Sequence, residues 1–380
     1  MTTIDLVYFN AGGGHRASAL AIRQAVQELG LPWTIRLVDL FEVLDPRDLF
    51  RKVTGRRPED LYNGRLARGW TMGMAQELKL LQGGIRLCHR PMTARLRRHW
   101  AASAPDAVVS LVPNFNRALY ESLGAVRPGV PYVTILTDLA DYPPRFWIER
   151  GQRQHIVCGT PRAVAQARAM GYADWQVHAT SGVVIRPDFY RQTPIDRAAE
   201  RRRLGLDPGR LTGVVLFGGH GSRAMHAIAR RLPDVPLILL CGHNRALAAQ
   251  LRAMKAEAPR VVLEYSGDIP YYMKLADFFI GKPGPGSISE AVRQGLPVIV
   301  ASNRATMPQE RYNAQWIREN GVGLAVPSFR SIGPAVAELC HGLDRFRANV
   351  ARIDNRAVFE IPDILARILE SGAAAGRDAA

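Results

Sequence analysis

Long apolar runs are missing: no uninterrupted stretch of the 380 residues approaches the roughly 20 that a membrane-crossing helix needs. The opening MTTIDLVYFN passes straight into a strand-like run without a basic leader or a small-residue cleavage site, so export is not expected either. Cysteine is scarce. Cys88, Cys158, Cys241 and Cys340 lie far apart, with no CxxC pair and no Cys/His cluster at zinc spacing, which argues against a disulfide framework and for reduced thiols in the cytosol. No Asp-x-Asp occurs, so no divalent-ion site on a phosphate ligand is expected, and no cofactor. A GxGxxG loop with an acid about 20 residues on is absent too, which excludes an NAD-dependent oxidoreductase of the usual kind.

Acidic residues are also few, 34 against 50 Lys and Arg, and the resulting +16 with a pI near 10.3 calls for a polyanionic surface or ligand. The excess is concentrated. Between Asp45 and Trp100 stand 13 Arg and Lys against five acids, half of the whole net charge. No RNA- or DNA-reading motif accompanies it, so nucleic acid is not expected as the partner. Within this stretch Leu66, Trp70, Met74, Leu78, Leu81 and Ile85 recur at helical spacing, flanked by Arg65, Arg68, Lys79 and Arg86. Such a stripe suits an amphipathic element at an anionic membrane, with Trp70, Arg95, Arg97 and Arg98 as surface contacts; packing on its own domain is the other reading.

What is present is the material for two cores: 47% hydrophobic and 22% charged residues, with 34 Gly and 25 Pro. Short apolar runs alternate with helix-period segments throughout, the pattern of βαβ units and parallel sheets. Strands are expected at 4–9, 34–39, 107–111, 132–137 and 155–158, and again at 212–217, 236–241, 261–265, 277–280, 298–301 and 323–326. A hinge near Ile185-Arg186-Pro187 divides the chain into residues 1–186 and 187–357, and a final helix within 358–372 has the option of crossing back onto the first part. An α/β fold of two Rossmann-like domains, with parallel sheets facing a central cleft, fits this rhythm.

Each half opens with a strand that ends in clustered glycines. In the first, Gly12-Gly13-Gly14-His15 precedes a helix, so that backbone N–H groups face a ligand and His15 stands where a proton would be taken; a helix-capping or solvent-facing histidine is the plainer alternative. In the second, Phe217-Gly218-Gly219-His220-Gly221-Ser222 plays the same part. The most pronounced signal is Lys282-Pro283-Gly284-Pro285-Gly286-Ser287-Ile288-Ser289-Glu290, an open turn entering a helix and suited to phosphate oxygens. Ser287 and Glu290 also satisfy the S-x-x-E capping box, whereas a free Glu290 carboxylate would accept both hydroxyls of a ribose. Met307 to Asn313, with Gln309, Glu310 and Asn313, supplies groups for sugar hydroxyls.

The succession GGGH at 12–15, Thr137-Asp138, FGGHGS at 217–222, CGHN at 241–244, GKPGPGSISEAVRQGLPVIV at 281–300 and PQERYN at 308–313 resembles the family 28 glycosyltransferases of GT-B fold, in particular the monogalactosyldiacylglycerol synthases and bacterial diacylglycerol glucosyltransferases. The resemblance implies inverting transfer of a hexose from a UDP-sugar to a lipid acceptor, diacylglycerol above all, by a peripheral protein at the cytoplasmic face of the membrane. N-acetylglucosamine transfer to a polyprenyl-diphosphate-linked peptidoglycan precursor is the alternative within the same group, and a basic lipid- or nucleic-acid-binding protein without transferase activity the alternative outside it. It further implies His15 as base or acceptor-orienting residue with Asp138 beside it, Gly13 and Gly14 on the acceptor side, and Glu290 on the ribose. Gln309, Glu310 and Asn313 would hold the sugar, and Gly218, Gly219, Gly221, Ser222, Gly284, Gly286 and Ser287 the diphosphate. Two segments depart from the family pattern: 141–147 replaces a His-Pro-Thr-Trp-Phe-like run, and 112–116 a His-Pro segment. Both fall on the acceptor half.

Overall fold

A computed structural model describes residues 2–10, 13–55 and 74–377; Ala11, Gly12, Leu66 and Trp70 lie outside them. Two compact units emerge among the described residues. The first holds 2–55, 74–187 and 356–377, the second 188–355.

The first unit is built on six parallel strands: β1 (Thr2–Tyr8), β2 (Trp33–Asp39), β3 (Ala107–Ser110), β4 (Tyr132–Ile135), β5 (His155–Cys158) and β6 (Val177–Ala179). They pair in the order β2-β1-β3-β4-β5-β6. β3 and β4 are buried at every position, as expected of central parallel strands covered on both faces. Val7, Val38, Leu96, Trp100, Leu119 and Tyr132 share one core layer. The C-terminal helix Ala357–Arg377 belongs to this unit; Glu360 accepts the N–H of Ser181 at 2.7 Å.

The second unit repeats the plan with β7 (Gly213–Leu216), β8 (Leu237–Leu240), β9 (Arg260–Leu263), β10 (Phe278–Gly281), β11 (Val298–Ala301) and β12 (Gly323–Val326), in the order β12-β11-β10-β7-β8-β9, again all parallel. Chain direction across the sheet therefore reverses between β7 and β10. Asp277, just before β10, fixes this junction from below. Its carboxylate accepts the N–H of Thr212, just before β7, at 2.8 Å, and pairs with Arg197, Arg201 and Arg347. Burial pushes the Asp277 carboxyl up, but Arg197, the Thr212 N–H and Arg201 outweigh it and hold it below the usual carboxylate range.

Candidate active site

In open parallel sheets, ligands gather beyond the carboxyl ends of the strands where the strand order reverses. In the second unit this point lies between β7 and β10, and the loops leaving those strands are the two glycine-rich segments, 217–222 and 282–286. Fifty-nine residues of sequence separate them; one strand spacing separates their strands.

The loop after β7 turns through Gly218 (φ +76°) and Gly221 (φ +59°), left-handed conformations that favour glycine. It nests against the loop after β8: His243 N–H donates to the Gly219 carbonyl at 2.8 Å, and a Cβ on Gly242 would stand 2.2 Å from that same oxygen. Ser222 is buried, its hydroxyl accepting the Ala224 N–H at 3.2 Å where the helix Ala224–Arg231 begins. Gly219 has open space at its Cβ position.

The loop after β10 enters the helix Pro285–Arg293 with Gly284 as N-cap and no side-chain cap. The helix thus begins two residues before Ser287, which corrects the capping-box reading: Ser287 lies inside the first turn and is not the N-cap. Pro285 has no N–H, and those of Gly286 and Ser287 are first-turn donors outside the helical ladder. Gly286 has open space at its Cβ position. Glu290 follows Ser287 at i+3, on the same helix face, and is half-buried.

The segment after β11 joins the same row. Pro308–Glu310 forms one 3-10 turn before the helix Arg311–Glu319. Gln309 donates to Met307 Sδ at 3.6 Å. The buried Glu310 carboxylate takes Lys282 Nζ at 3.2 Å. Asn313 is fully buried and donates its amide to the Pro283 carbonyl at 2.7 Å. The Asn313 amide thus braces the proline-glycine turn. Lys282, given no separate role in the sequence reading, emerges at the centre of this group.

In the first unit the reversal falls between β1 and β3. Gly13 (φ +76°) caps the helix Gly14–Glu28, so His15 sits in its first turn. The His15 ring lies 4.7 Å from that of Phe9 and 5.8 Å from that of Trp147, and its Nδ1 is 3.4 Å from Thr137 Oγ. Asp138 is buried and accepts the Trp147 indole N–H at 2.8 Å. Trp147 thus touches both residues expected to act on the acceptor. It is held in turn by Asn116, whose amide donates to the Trp147 carbonyl at 2.8 Å and whose Oδ1 accepts from Ser110 and Tyr132. The two segments that depart from the family pattern are therefore knitted together.

The helix Met74–Leu87 carries Leu78, Leu81 and Ile85 of the stripe, and Gln82 anchors it through Asn114 Oδ1 at 3.0 Å and the Pro144 carbonyl at 3.1 Å. Leu80, Leu81 and Leu87 are exposed at 76%, 50% and 88%, an apolar surface beside the same loops. Trp70 falls outside the described residues. On the following helix, His89–Ser103, Arg95, Arg97 and Arg98 are all exposed, and Arg95 turns one guanidinium N–H to the Leu44 carbonyl. Among the described residues no group of three His, Cys, Asp or Glu is placed to hold a metal ion, and no helix is long and apolar enough to cross a membrane.

Residues 214–344, which span these glycine-rich loops, match the glycosyltransferase family 28 C-terminal domain. Over 385 aligned residues the chain is 27% identical to a probable monogalactosyldiacylglycerol synthase 2 of Oryza sativa subsp. japonica, covering 93% of this chain and 77% of that protein. Monogalactosyldiacylglycerol synthase 1 of Arabidopsis thaliana is 26% identical over 87% of this chain, which spans 63% of the Arabidopsis protein. Among solved structures, MurG of Acinetobacter baumannii superposes with a TM-score of 0.61 at 13% identity, covering 97% of this chain and 100% of MurG. Os79 of O. sativa, solved with UDP, gives 0.63 at 13% identity, covering 97% and 99%. Two six-stranded parallel sheets in this order give the chain the GT-B fold of these glycosyltransferases, its second unit matches the family 28 C-terminal domain, and most of its length is similar to monogalactosyldiacylglycerol synthases.

Proposed function

We propose that the protein transfers a hexose from a UDP-sugar to a diacylglycerol-type lipid, with inversion, as a peripheral protein on the cytoplasmic membrane face. The observation that carries the donor half is the junction of the two glycine loops over β7 and β10, with the N-terminus of the helix Pro285–Arg293 between them. Backbone N–H groups there suit a diphosphate, Gly218, Gly219, Gly221 and Ser222 on one side and Gly284, Gly286 and Ser287 on the other. Glu290, one turn in, suits a ribose diol, and Gln309 suits a sugar hydroxyl. The lipid half is supported by the names of the relatives and by the exposed leucines beside a basic helix.

In the proposed reaction the acceptor oxygen bonds to C1 of the sugar as the bond from C1 to the phosphate oxygen breaks. The electron pair of that bond leaves with UDP, and His15 takes the hydroxyl proton. Charge on the departing phosphate is met by backbone dipoles and basic side chains, without a metal or other cofactor.

Incubating the protein with a panel of UDP-sugars and diacylglycerol-containing vesicles, with mass spectrometry of the lipid extract, tests this reading. A hexosyl lipid formed from one UDP-sugar is the expected product. Sugar found only as free hexose, or only on a polyprenyl diphosphate, would set the lipid assignment aside.

A further inference from the structure

The side chain of Lys282 is folded back over the turn it belongs to. A Cβ placed on Gly284 would stand 2.9 Å from Lys282 Cε and 3.3 Å from its Nζ. Gly284 is the N-cap of the helix Pro285–Arg293, so a full positive charge rests over a helix end that already presents first-turn N–H groups. The ammonium is not buried, with the side chain 33% exposed, but its one carboxylate partner is: Glu310 retains 8% exposure and sits 3.2 Å away. From the other side Asn313 clamps the Pro283 carbonyl at 2.7 Å, and its Oδ1 is buried without a partner. The turn is thus rigidly held, while the cation on it is reachable.

Pairing with the buried Glu310 carboxylate accounts for a cation at this place, but does not require that the cation stay reachable from solvent. An ordinary lysine side chain extends toward water; here it lies across a glycine whose extended backbone (φ −79°, ψ 134°) any residue could adopt. The space above Gly284 is what the missing side chain provides, and the end of the Lys282 side chain fills it.

We propose that Lys282 is the diphosphate-binding cation of the donor site, parked on Glu310 while the site is empty and shared with the phosphate oxygens of a nucleoside diphosphate sugar when one binds. Glu310 is then a positioning residue, setting where the ammonium waits, and not a direct sugar ligand. During transfer the same ammonium faces the oxygen that receives the electron pair of the broken C1–O bond, where charge grows as the transition state is approached. This rests on the donor reading given above.

The test separates the two. Binding of UDP and of uridine is measured by calorimetry for the wild type, Lys282→Met, Lys282→Arg, Gly284→Ala and the double variant Lys282→Met/Gly284→Ala, with melting temperatures for each. The wild type should bind UDP well above uridine. Lys282→Met should lose about 10- to 100-fold in UDP affinity, the scale of one charge-assisted contact, with uridine binding unchanged, and Lys282→Arg should recover part of it. Gly284→Ala displaces the flexible end of Lys282, so it should weaken UDP more in the wild-type background than in Lys282→Met. A Lys282→Met protein that binds UDP as the wild type does would overturn the inference while leaving the donor site in place. An equal loss of UDP and uridine would make Lys282 a structural residue and overturn it as well. A wild type that does not bind UDP would remove the donor reading, and this inference with it.

Discussion

The indole N–H of Trp147 donates to Oδ2 of Asp138 at 2.8 Å. Because the same indole lies 5.8 Å from the His15 ring, one side chain orients both groups assigned to the acceptor. Trp147→Phe keeps an aromatic ring but leaves a buried carboxylate oxygen without that donor. Turnover should fall about tenfold, the lower end of the cost of an unmade buried hydrogen bond, while UDP affinity stays unchanged. Steady-state kinetics with both substrates varied check this; a loss confined to the donor KM would contradict it.

His15→Ala should lower turnover by about 10² to 10⁴ if the imidazole takes the acceptor proton. UDP binding should survive, because the loops proposed to hold the donor belong to the second unit. Full turnover in the variant would pass the role to Asp138 or to no residue.

Glu290→Gln should weaken UDP binding by roughly 1.5 to 3 kcal/mol, the range for a hydrogen bond to a charged group. Since Ser287 lies within the helix and Gly284 caps it, no capping box is at stake, and the melting temperature should hold. Normal UDP binding with an early melt would show that the carboxylate serves the fold.

Acid should destabilise the first unit through its histidine pair. His155 Nδ1 and His178 Nε2 stand 3.1 Å apart on neighbouring strands. Burial, then the neighbouring His155, then Arg367 push His178 down to about 4 from an ordinary value of 6.5; burial lowers His155 as well, against a backbone hydrogen bond at Trp175. With the folded value below the unfolded one, this contribution is fully present above pH 6.5 and is lost as pH falls from 6.5 toward 4. The melting temperature should drop by a few degrees between pH 7 and pH 5 on this account, and His178→Gln should flatten the profile. An unchanged profile in the variant would place the acid sensitivity elsewhere.

Vesicles containing anionic lipid should sediment the protein, less so at high salt. Arg97→Glu with Arg98→Glu should weaken this by removing exposed charge, and Leu80→Asp with Leu87→Asp by removing exposed apolar surface. Arg95, engaged with the Leu44 carbonyl, should matter less to binding and more to folding. Equal sedimentation with neutral vesicles would discard the charge argument.

Much of this architecture is legible in the sequence because buried parallel strands leave short apolar runs between turn residues, and eleven of the twelve strands do so. The twelfth, Val177-His178-Ala179, is three residues long at the sheet edge, with no apolar run to reveal it. The glycine loops are legible as well, since backbone that turns through positive φ or receives a phosphate favours glycine. What the sequence does not carry is adjacency. Nothing in residues 217–222 says that their neighbour is 282–286 rather than 264–268; strand order decides that. Nor does it show that Lys282 bends over Gly284, or that the Asn313 amide braces the Pro283 carbonyl. The departing segments 112–116 and 141–147 look like loss of a motif, yet they form one network through Asn116 and Trp147.

The placement of β7 between β8 and β10 also has a consequence for biosynthesis. A chain emerging N-terminus first can pair β7 with β8 and then add β9, but the opposite edge of β7 stays open until Phe278–Gly281 has left the ribosome. An exposed hydrophobic edge of Gly213–Leu216 is a hazard for a nascent chain. Asp277 arrives immediately ahead of the strand that closes it, already able to grip the Thr212 N–H and Arg201. Slowing translation just upstream of codon 277 should therefore prolong the open-edged state, and chaperone dependence of the newborn protein should rise with the length of that pause.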